Sequence, residues 1–270
     1  MDLFDTHCHF DAADDIAAIL ERARAAGLVG LVAVGGDDAA NAGARLAARL
    51  APGFAFPALG LDWSCASAPD AADAAQLAAA EGGFSPASAQ SAIAAGEIGL
   101  DYSHGPTAAE KAAQRALFAR QVAAAAEAGL PCSVHSREAE EDTLAILREC
   151  VSPTLAAEGR AGSLHCFVGP ASFAERLLPL GFSFGLSGIL TFRNADSLRA
   201  AVPAIPRERL LLETDSPYLA PVPMRGRKCE PAFVEHTARV LGKILGIGPD
   251  EAAGITTENA MRLFCPKARR

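Results

Sequence analysis

His7 and His9 stand two residues apart at the end of a short apolar run, in Asp5-Thr6-His7-Cys8-His9-Phe10. Side chains at i and i+2 of a strand share a face, so both imidazoles can reach one point, as a shared metal ion requires. A His-x-His pair alone carries little, because two polar residues in a surface loop read the same way. The chain supplies more groups of this kind: Glu97, His135, His165 and Asp215 each sit at the end of a run that reads as a strand. Four imidazoles and two carboxylates exceed the needs of one structural metal. They suit a pair of divalent ions that share a carboxylate and leave positions open for water and substrate. Singly, His135 or His165 reads equally well as a hydrogen-bonded core histidine, and Glu97 or Asp215 as an ion-pair partner. Six ligand-type residues at five strand ends together point to metal chemistry.

Elements that could hold such a set alternate from end to end. Apolar runs near 3–4, 28–34, 54–61, 92–100, 131–134, 162–164, 182–186 and 210–213 read as eight strands. Ala- and Arg-rich amphipathic stretches at 14–26, 38–50, 71–80, 108–128, 139–150, 171–178, 194–201 and 231–245 read as helices. Glycines such as Gly27 and Gly129 follow them as C-terminal stops. Eight βα units in 270 residues predict a single-domain (β/α)8 TIM barrel spanning 1–270 rather than an open doubly wound sheet. No Gly-rich nucleotide fingerprint follows the first strand, which weakens the open-sheet alternative. A short extra helix at 257–264 is expected across the barrel's outside or bottom, and 81–90 and 151–162 read as surface loops. In such barrels functional residues occupy the C-terminal ends of the strands, which is where the six candidates fall.

Bulk composition narrows the function. A net charge of −8 argues against whole-surface binding to nucleic acid, though not against a local cationic site made by bound divalent ions. Seven scattered cysteines without a CxxC pair predict thiols rather than a disulfide framework. The N-terminus lacks a signal-type segment, and the apolar stretch 177–192 is broken by Pro179, Gly181, Gly185 and Gly188. A cytoplasmic protein with no membrane contact and no obligate protein partner is expected.

The sequence resembles the TatD family of metal-dependent deoxyribonucleases, within the amidohydrolase-type barrels. The resemblance rests on Asp5-Thr6-His7-Cys8-His9, Gly96-Glu97-Ile98-Gly99-Leu100-Asp101-Tyr102, Val134-His135-Ser136-Arg137-Glu138-Ala139 and His165-Cys166-Phe167. Ser187-Gly188 with Thr191-Phe192, Glu213-Thr214-Asp215-Ser216-Pro217-Tyr218 and Thr257-Glu258-Asn259 extend it over nearly the whole chain. It implies that His7, His9, Glu97, His135, His165 and Asp215 bind two divalent metal ions (Mg2+, Mn2+ or Zn2+), with Glu97 bridging. It also implies hydrolysis of phosphodiester bonds in DNA, from an end. Physical chemistry points the same way, since two cations generate hydroxide from water at neutral pH and offset charge building on phosphoryl oxygens. Asp215 is the candidate to hold or take the water's proton, which makes Asp215 and Glu97 the catalytic carboxylates.

DNA as substrate requires a phosphate grip. Loops after strands seven and eight form the usual phosphate site of this fold, and guanidinium groups match phosphate oxygens. Arg193, Arg225 and Arg227 lie in those loops, and Arg137 follows His135 closely. A solvated basic loop is the plainer reading for any one of them. Two departures from the family pattern bear on substrate handling. Gly60-Leu61-Asp62-Trp63 stands where the family has Gly-x-His-Pro, and Cys229-Glu230-Pro231 stands where it has Asn-Glu-Pro. Either Asp62 turns away and Trp63 offers a base-stacking surface at the rim, or the substrate is less anionic. His104 and His236 read as a loop residue and a helix-surface residue, and Cys8 and Cys166 as packed side chains. Competing readings are a barrel of the same type acting on an amide, ester or aminoacyl bond, and a binding protein without turnover. The intact ligand set weighs against the second.

Overall fold

A computed structural model describes residues 1–11, 13–66, 80, 82–84 and 91–265. Eight parallel strands run in sequence order around one sheet: β1 Leu3–Cys8, β2 Leu28–Gly36, β3 Ala55–Leu61, β4 Ala94–Asp101, β5 Cys132–Arg137, β6 Gly162–Leu164, β7 Phe182–Leu186 and β8 Leu210–Leu212. Nearly every strand residue is buried, as expected of parallel strands covered on both faces. Helices α1 Ile16–Ala25, α2 Asp38–Leu50, α3 Ala108–Ala128, α4 Glu140–Cys150, α5 Pro153–Ala157, α6 Ala171–Leu177, α7 Asp196–Ala201, α8 Val234–Leu245 and α9 Pro249–Phe264 complete the (β/α)8 barrel. The helix expected over 71–80 and the loop expected over 81–90 lie outside the described residues, apart from 80 and 82–84.

Local chemistry sets the helix ends. Thr107 and Glu110 form a reciprocal capping box at the start of α3, and Gly129 ends it in the left-handed region (φ 68°). Two expectations are corrected here. The 151–162 loop contains α5, started by the Ser152 side chain accepting from Leu155 N–H, with proline in the first turn. The C-terminal helix begins at Pro249 rather than at 257, because that proline and the acidic Asp250 and Glu251 make a favourable first turn.

The barrel closes at the end that carries the candidate site. One isolated bridge, Cys8 to Ser216, joins the end of β1 to the segment that follows β8. Asp215 N–H donates to the His7 carbonyl at 2.9 Å and His9 N–H to the Ser216 carbonyl at 2.7 Å. At the opposite end α9 packs Ala260, Leu263 and Phe264 into one buried cluster with Phe4, Val32, Val34, Ala58, Ala94 and Leu211. Its Asn259 side chain donates to the Arg207 and Leu210 carbonyls at the start of β8.

β3 and β4 pair only at Ala58 with Ala94 and Leu59 with Ala95. Beyond that point the backbone finds amide side chains instead of a neighbouring strand. Asn41 on α2 accepts from Gly60 N–H and donates to Gly60 O. Gln121 on α3 does the same for Leu61, and Gln114 for Asp101. An amide matches one backbone donor and one acceptor at once, so buried polar groups stay paired where the strands part. All seven cysteines are unpaired thiols. Among the described residues no helix is long and apolar enough to cross a membrane.

Candidate metal centre

Six side chains from five strands meet at the C-terminal rim. His7 lies in β1 with His9 just beyond it, Glu97 in β4 and His135 in β5, while His165 follows β6 and Asp215 follows β8. The Glu97 position needs glycine nearby. A Cβ on Gly99 (φ 146°) would lie 2.0 Å from the His135 carbonyl oxygen, so β4 meets β5 there without room for a side chain.

The six groups form two pairs of imidazoles around one carboxylate. His7 Nε2 and His9 Nε2 are 3.1 Å apart and lie 3.5 and 3.4 Å from Glu97 Oε2. Asp215 Oδ1 approaches the same two nitrogens at 3.8 and 3.6 Å. On the other side His135 Nδ1 and His165 Nε2 are 3.1 Å apart, and each is 3.1 Å from Glu97 Oε1. Glu97 thus turns one oxygen to each pair. The His7 and His165 rings stack with centroids 3.9 Å apart, which joins the two halves.

The outer ring nitrogens say what the inner ones can do. His9 Nδ1 faces the Val34 carbonyl at 3.0 Å, and a carbonyl oxygen only accepts, so the proton sits on Nδ1 and a neutral ring turns a lone pair inward. His135 Nε2 faces Asp101 Oδ2 at 3.1 Å with the same consequence, and His7 Nδ1 contacts Ser133 Oγ at 3.0 Å. His165 Nδ1 is buried without a hydrogen bond, 4.0 Å from Glu213 Oε1. With these rings neutral, lone pairs and carboxylate oxygens face one another at 3.1–3.8 Å, an arrangement that repels itself unless protons or a cation lie among them. Three groups of these side chains can each gather about one ion: His7, His9 and Glu97; His7, His165 and Asp215; Glu97, His135 and His165. Nitrogen and oxygen donors backed by fixed outer partners fit a divalent cation.

Protonation follows the same geometry. Burial opposes charge on His9, but its bond to Asp215 and the charges of Glu97 and Asp215 prevail and raise it to about 9. Burial is likewise outweighed at His135, where Asp101 and Glu97 raise the ring to about 10. At His7 burial and the neighbouring His165 lower it to about 4. Glu97 is held well below the usual carboxylate range, because the surrounding imidazoles overcome its burial.

Two further buried carboxylates support the six. Asp5 is fully buried and accepts from His7 N–H, Thr214 N–H and Thr214 Oγ1 at 3.2, 3.0 and 2.6 Å. Burial pushes its carboxyl up to about 7 against those bonds. Glu213, also fully buried, accepts from Cys166 N–H and packs where a Cβ on Gly185 would lie 1.9 Å from its Oε2. Sequence reasoning did not single out Asp5, Ser133, Asp101 or Glu213. For two of them a signal existed. Asp101 shares the strand face of Glu97 at i+4, and Glu213 precedes Asp215 by two residues.

The expected substrate residues differ in how they are held. The Arg225 guanidinium carbon lies over the Phe192 ring, 4.0 Å from its centroid, and the side chain donates to the Ala220 carbonyl. That ring is fixed from below, since Arg199 donates to the Leu190 and Phe192 carbonyls. Thr191 Oγ1 accepts from Val222 N–H, tying the loop after β7 to the one after β8. Arg137, Arg193 and Arg227 are exposed and form no ion pair among the described residues. Trp63 is half-buried in a 3-10 turn, Trp63–Cys65, after β3. Asp62 turns into that turn, where its Oδ1 accepts from Ser64 N–H and Oγ at 2.7 and 2.6 Å. Cys229 is buried, and Glu230 beside it pairs with Arg22 on α1 through two bonds. Cys8 is packed as expected, while Cys166 is half-buried against Ser187 Oγ.

Comparison with known proteins agrees with this geometry. A sequence model of the family described as TatD related DNase matches residues 4–265. The uncharacterized metal-dependent hydrolase YcfH of Escherichia coli (strain K12) is 38% identical over 289 residues, covering 100% of this chain and 98% of the relative. The 3'-5' ssDNA/RNA exonuclease TatD of Rahnella sp. (strain Y9602) is 34% identical over 271 residues, covering 98% of this chain and 97% of the relative. The crystal structure of YJJV, a TatD homolog from Escherichia coli K12, superposes with a TM-score of 0.84 at 28% identity, covering 97% of each chain.

Proposed function

The chain belongs to the TatD-related DNase family of metal-dependent hydrolases, and from that premise we propose that it is an exonuclease acting on the phosphodiester bonds of DNA at a site for two divalent ions. The observation that carries this reading is the split of Glu97, whose Oε1 faces His135 and His165 while Oε2 faces His7 and His9. Names given to relatives add support for an end-directed, single-stranded substrate.

In this reading His7, His9, Glu97 and Asp215 hold one cation, and Glu97, His135 and His165 the other. Mg2+, Mn2+ or Zn2+ bound there would supply activated water at neutral pH and offset charge on the phosphoryl oxygens. Asp215 lies against His9, with burial overcome by the neighbouring imidazoles of His9, His7 and His165 and its carboxyl held below the usual range. It is therefore ionised and able to accept a proton from the attacking water. Asp101 and the Val34 carbonyl fix the tautomers of His135 and His9, so no ring has to reorient during turnover. Arg225, held by Phe192 and by the Ala220 carbonyl, is the candidate phosphate contact whose direction is set, and its remaining N–H groups would meet phosphate oxygens. Arg137, Arg193 and Arg227 would follow the backbone of a longer strand.

A 5'-labelled single-stranded oligonucleotide, incubated with each metal, tests the activity beside a panel of amide, ester and aminoacyl substrates. Stepwise shortening from the 3' end is expected. Turnover confined to the amide, ester or aminoacyl substrates would replace the nuclease reading.

The ring protonation yields a further expected result. Without metal, His9 and His135 keep protons up to about 9 and 10, so each cation must displace one. Raised imidazole values make the proton a stronger competitor, and apparent metal affinity should fall about tenfold per proton for each pH unit lowered below about 9. Calorimetry in buffers of different ionisation enthalpy counts the released protons. Affinity that does not change between about pH 7 and about pH 8.5 would remove these rings from the metal shell.

A further inference from the structure

The metal centre leaves one aromatic pair unexplained. Trp63 follows β3 and His104 follows β4, and their rings stack with centroids 5.2 Å apart and planes 23° from parallel. They border a cleft of about 610 Å3 whose lining includes Ser64, Asp101, Glu110 and Gln114. That volume suits a small organic group. Asp101 places the cleft beside the centre, because the same carboxylate that lines it accepts from His135 Nε2 at 3.1 Å.

The lining is selective in what it tolerates. Among the described residues it contains two carboxylates, Asp101 and Glu110, and no lysine or arginine, so it repels phosphate and favours an uncharged group. The platform is also held in place. Asp62 N–H donates to the Gly36 carbonyl at 2.7 Å and its side chain holds Ser64, which fixes the backbone on both sides of Trp63. An indole presented at a fixed angle over a phosphate-repelling cleft suits a flat, neutral heterocycle.

We infer that this cleft is a nucleobase subsite, in which the base of a nucleotide whose phosphodiester lies at the metal centre stacks on the Trp63–His104 pair. The inference rests on the nuclease reading and adds to it where the base goes and which residues receive it. A base placed there has left any duplex, so the subsite admits single strands and frayed ends. Stacking tolerates every base, and loss of one aromatic partner typically weakens binding from about fivefold to about a hundredfold.

Trp63 is the chain's single tryptophan, so its fluorescence reports on the cleft alone. The metal-loaded protein is titrated with deoxyadenosine monophosphate and, separately, with deoxyribose 5-phosphate, which carries the phosphate without the base. Saturable quenching by the nucleotide only is expected, about tenfold weaker in His104→Ala, with bound metal unchanged. In parallel, kcat and KM are measured on oligonucleotides that end in a normal or an abasic nucleotide. Wild-type protein should prefer the normal end by about tenfold, mainly through KM, and Trp63→Ala should lose that preference. Cleavage of oligonucleotides without quenching, or equal response to the sugar phosphate, would overturn the subsite and leave the nuclease reading standing. Quenching by the nucleotide with no oligonucleotide cleaved would make the ligand a free nucleotide and overturn its assignment to a substrate strand. Absence of both quenching and cleavage would overturn both readings.

Discussion

Glu97→Ala is expected to lower hydrolysis by at least about a thousandfold, equivalent to roughly 4 kcal/mol of barrier, and to reduce bound metal with it. The reason is electrostatic. Among the described residues Glu97 alone has an oxygen in both halves of the site, 3.1 Å from His135 and His165 through Oε1 and 3.4–3.5 Å from His9 and His7 through Oε2. Repulsion between two doubly charged ions is four times that of unit charges at the same distance, and without Glu97 no carboxylate lies between them. Glu97→Gln keeps the shape but lacks the charge and has only one acceptor oxygen, so it should retain metal on one side at most and remain inactive. The fold should persist in both variants, since the residue lies at the rim and not in the apolar core. Metal analysis, turnover and circular dichroism on the purified variants give the answer. Near-normal metal and turnover in Glu97→Ala would exclude the residue from the site.

Asp5→Ala carries the largest expected cost to stability, about 3–5 kcal/mol. Its carboxylate is fully buried and is the acceptor for three donors: His7 N–H, Thr214 N–H and Thr214 Oγ1. Truncation leaves those donors in a dry environment, at about 1–3 kcal/mol each, with partial relief as neighbours move. In a barrel of this size the melting temperature should drop by roughly 10 °C. Thr214→Val removes one of the three bonds and also the acceptor of Ser216 N–H at 3.2 Å, and should still cost less than Asp5→Ala. Denaturant melts of both variants are the measurement. A loss under about 1 kcal/mol in Asp5→Ala would mean the β1–β8 seam is held without it, by the backbone bonds and by Thr6 Oγ1 donating to the Leu212 carbonyl at 3.1 Å.

Asp5 also shows where sequence reading stops. All eight strands lie where their apolar runs predict, because parallel strands buried on both faces advertise themselves as continuous hydrophobic stretches. β1 runs on from Phe4 to Cys8 and β5 from Val134 to Arg137, across polar residues that the apolar signal could not follow. Those residues are polar because they serve the rim. The six candidate ligands were legible for the same reason, as chemically costly residue types at strand ends. Their supports were not. Asp5 and Thr214 are separated by 209 residues, and nothing local in either segment announces the other. Asn41, Gln114 and Gln121 read as polar positions on amphipathic helices, yet each is buried and completes the backbone of a strand end. The four arginines looked equivalent in sequence. Only the fold distinguishes Arg225, through a phenylalanine in the neighbouring loop.

Glu97 would be shared by two cations at the site where, in the proposed function, this chain cleaves a nucleic acid strand from its end. Metal-free protein titrated with Mn2+, while nucleotide release from a single-stranded oligonucleotide is followed, tests it most directly. The rate should climb until two equivalents per chain are bound and then level off. A plateau at one equivalent, or full activity before any metal is added, would contradict the account.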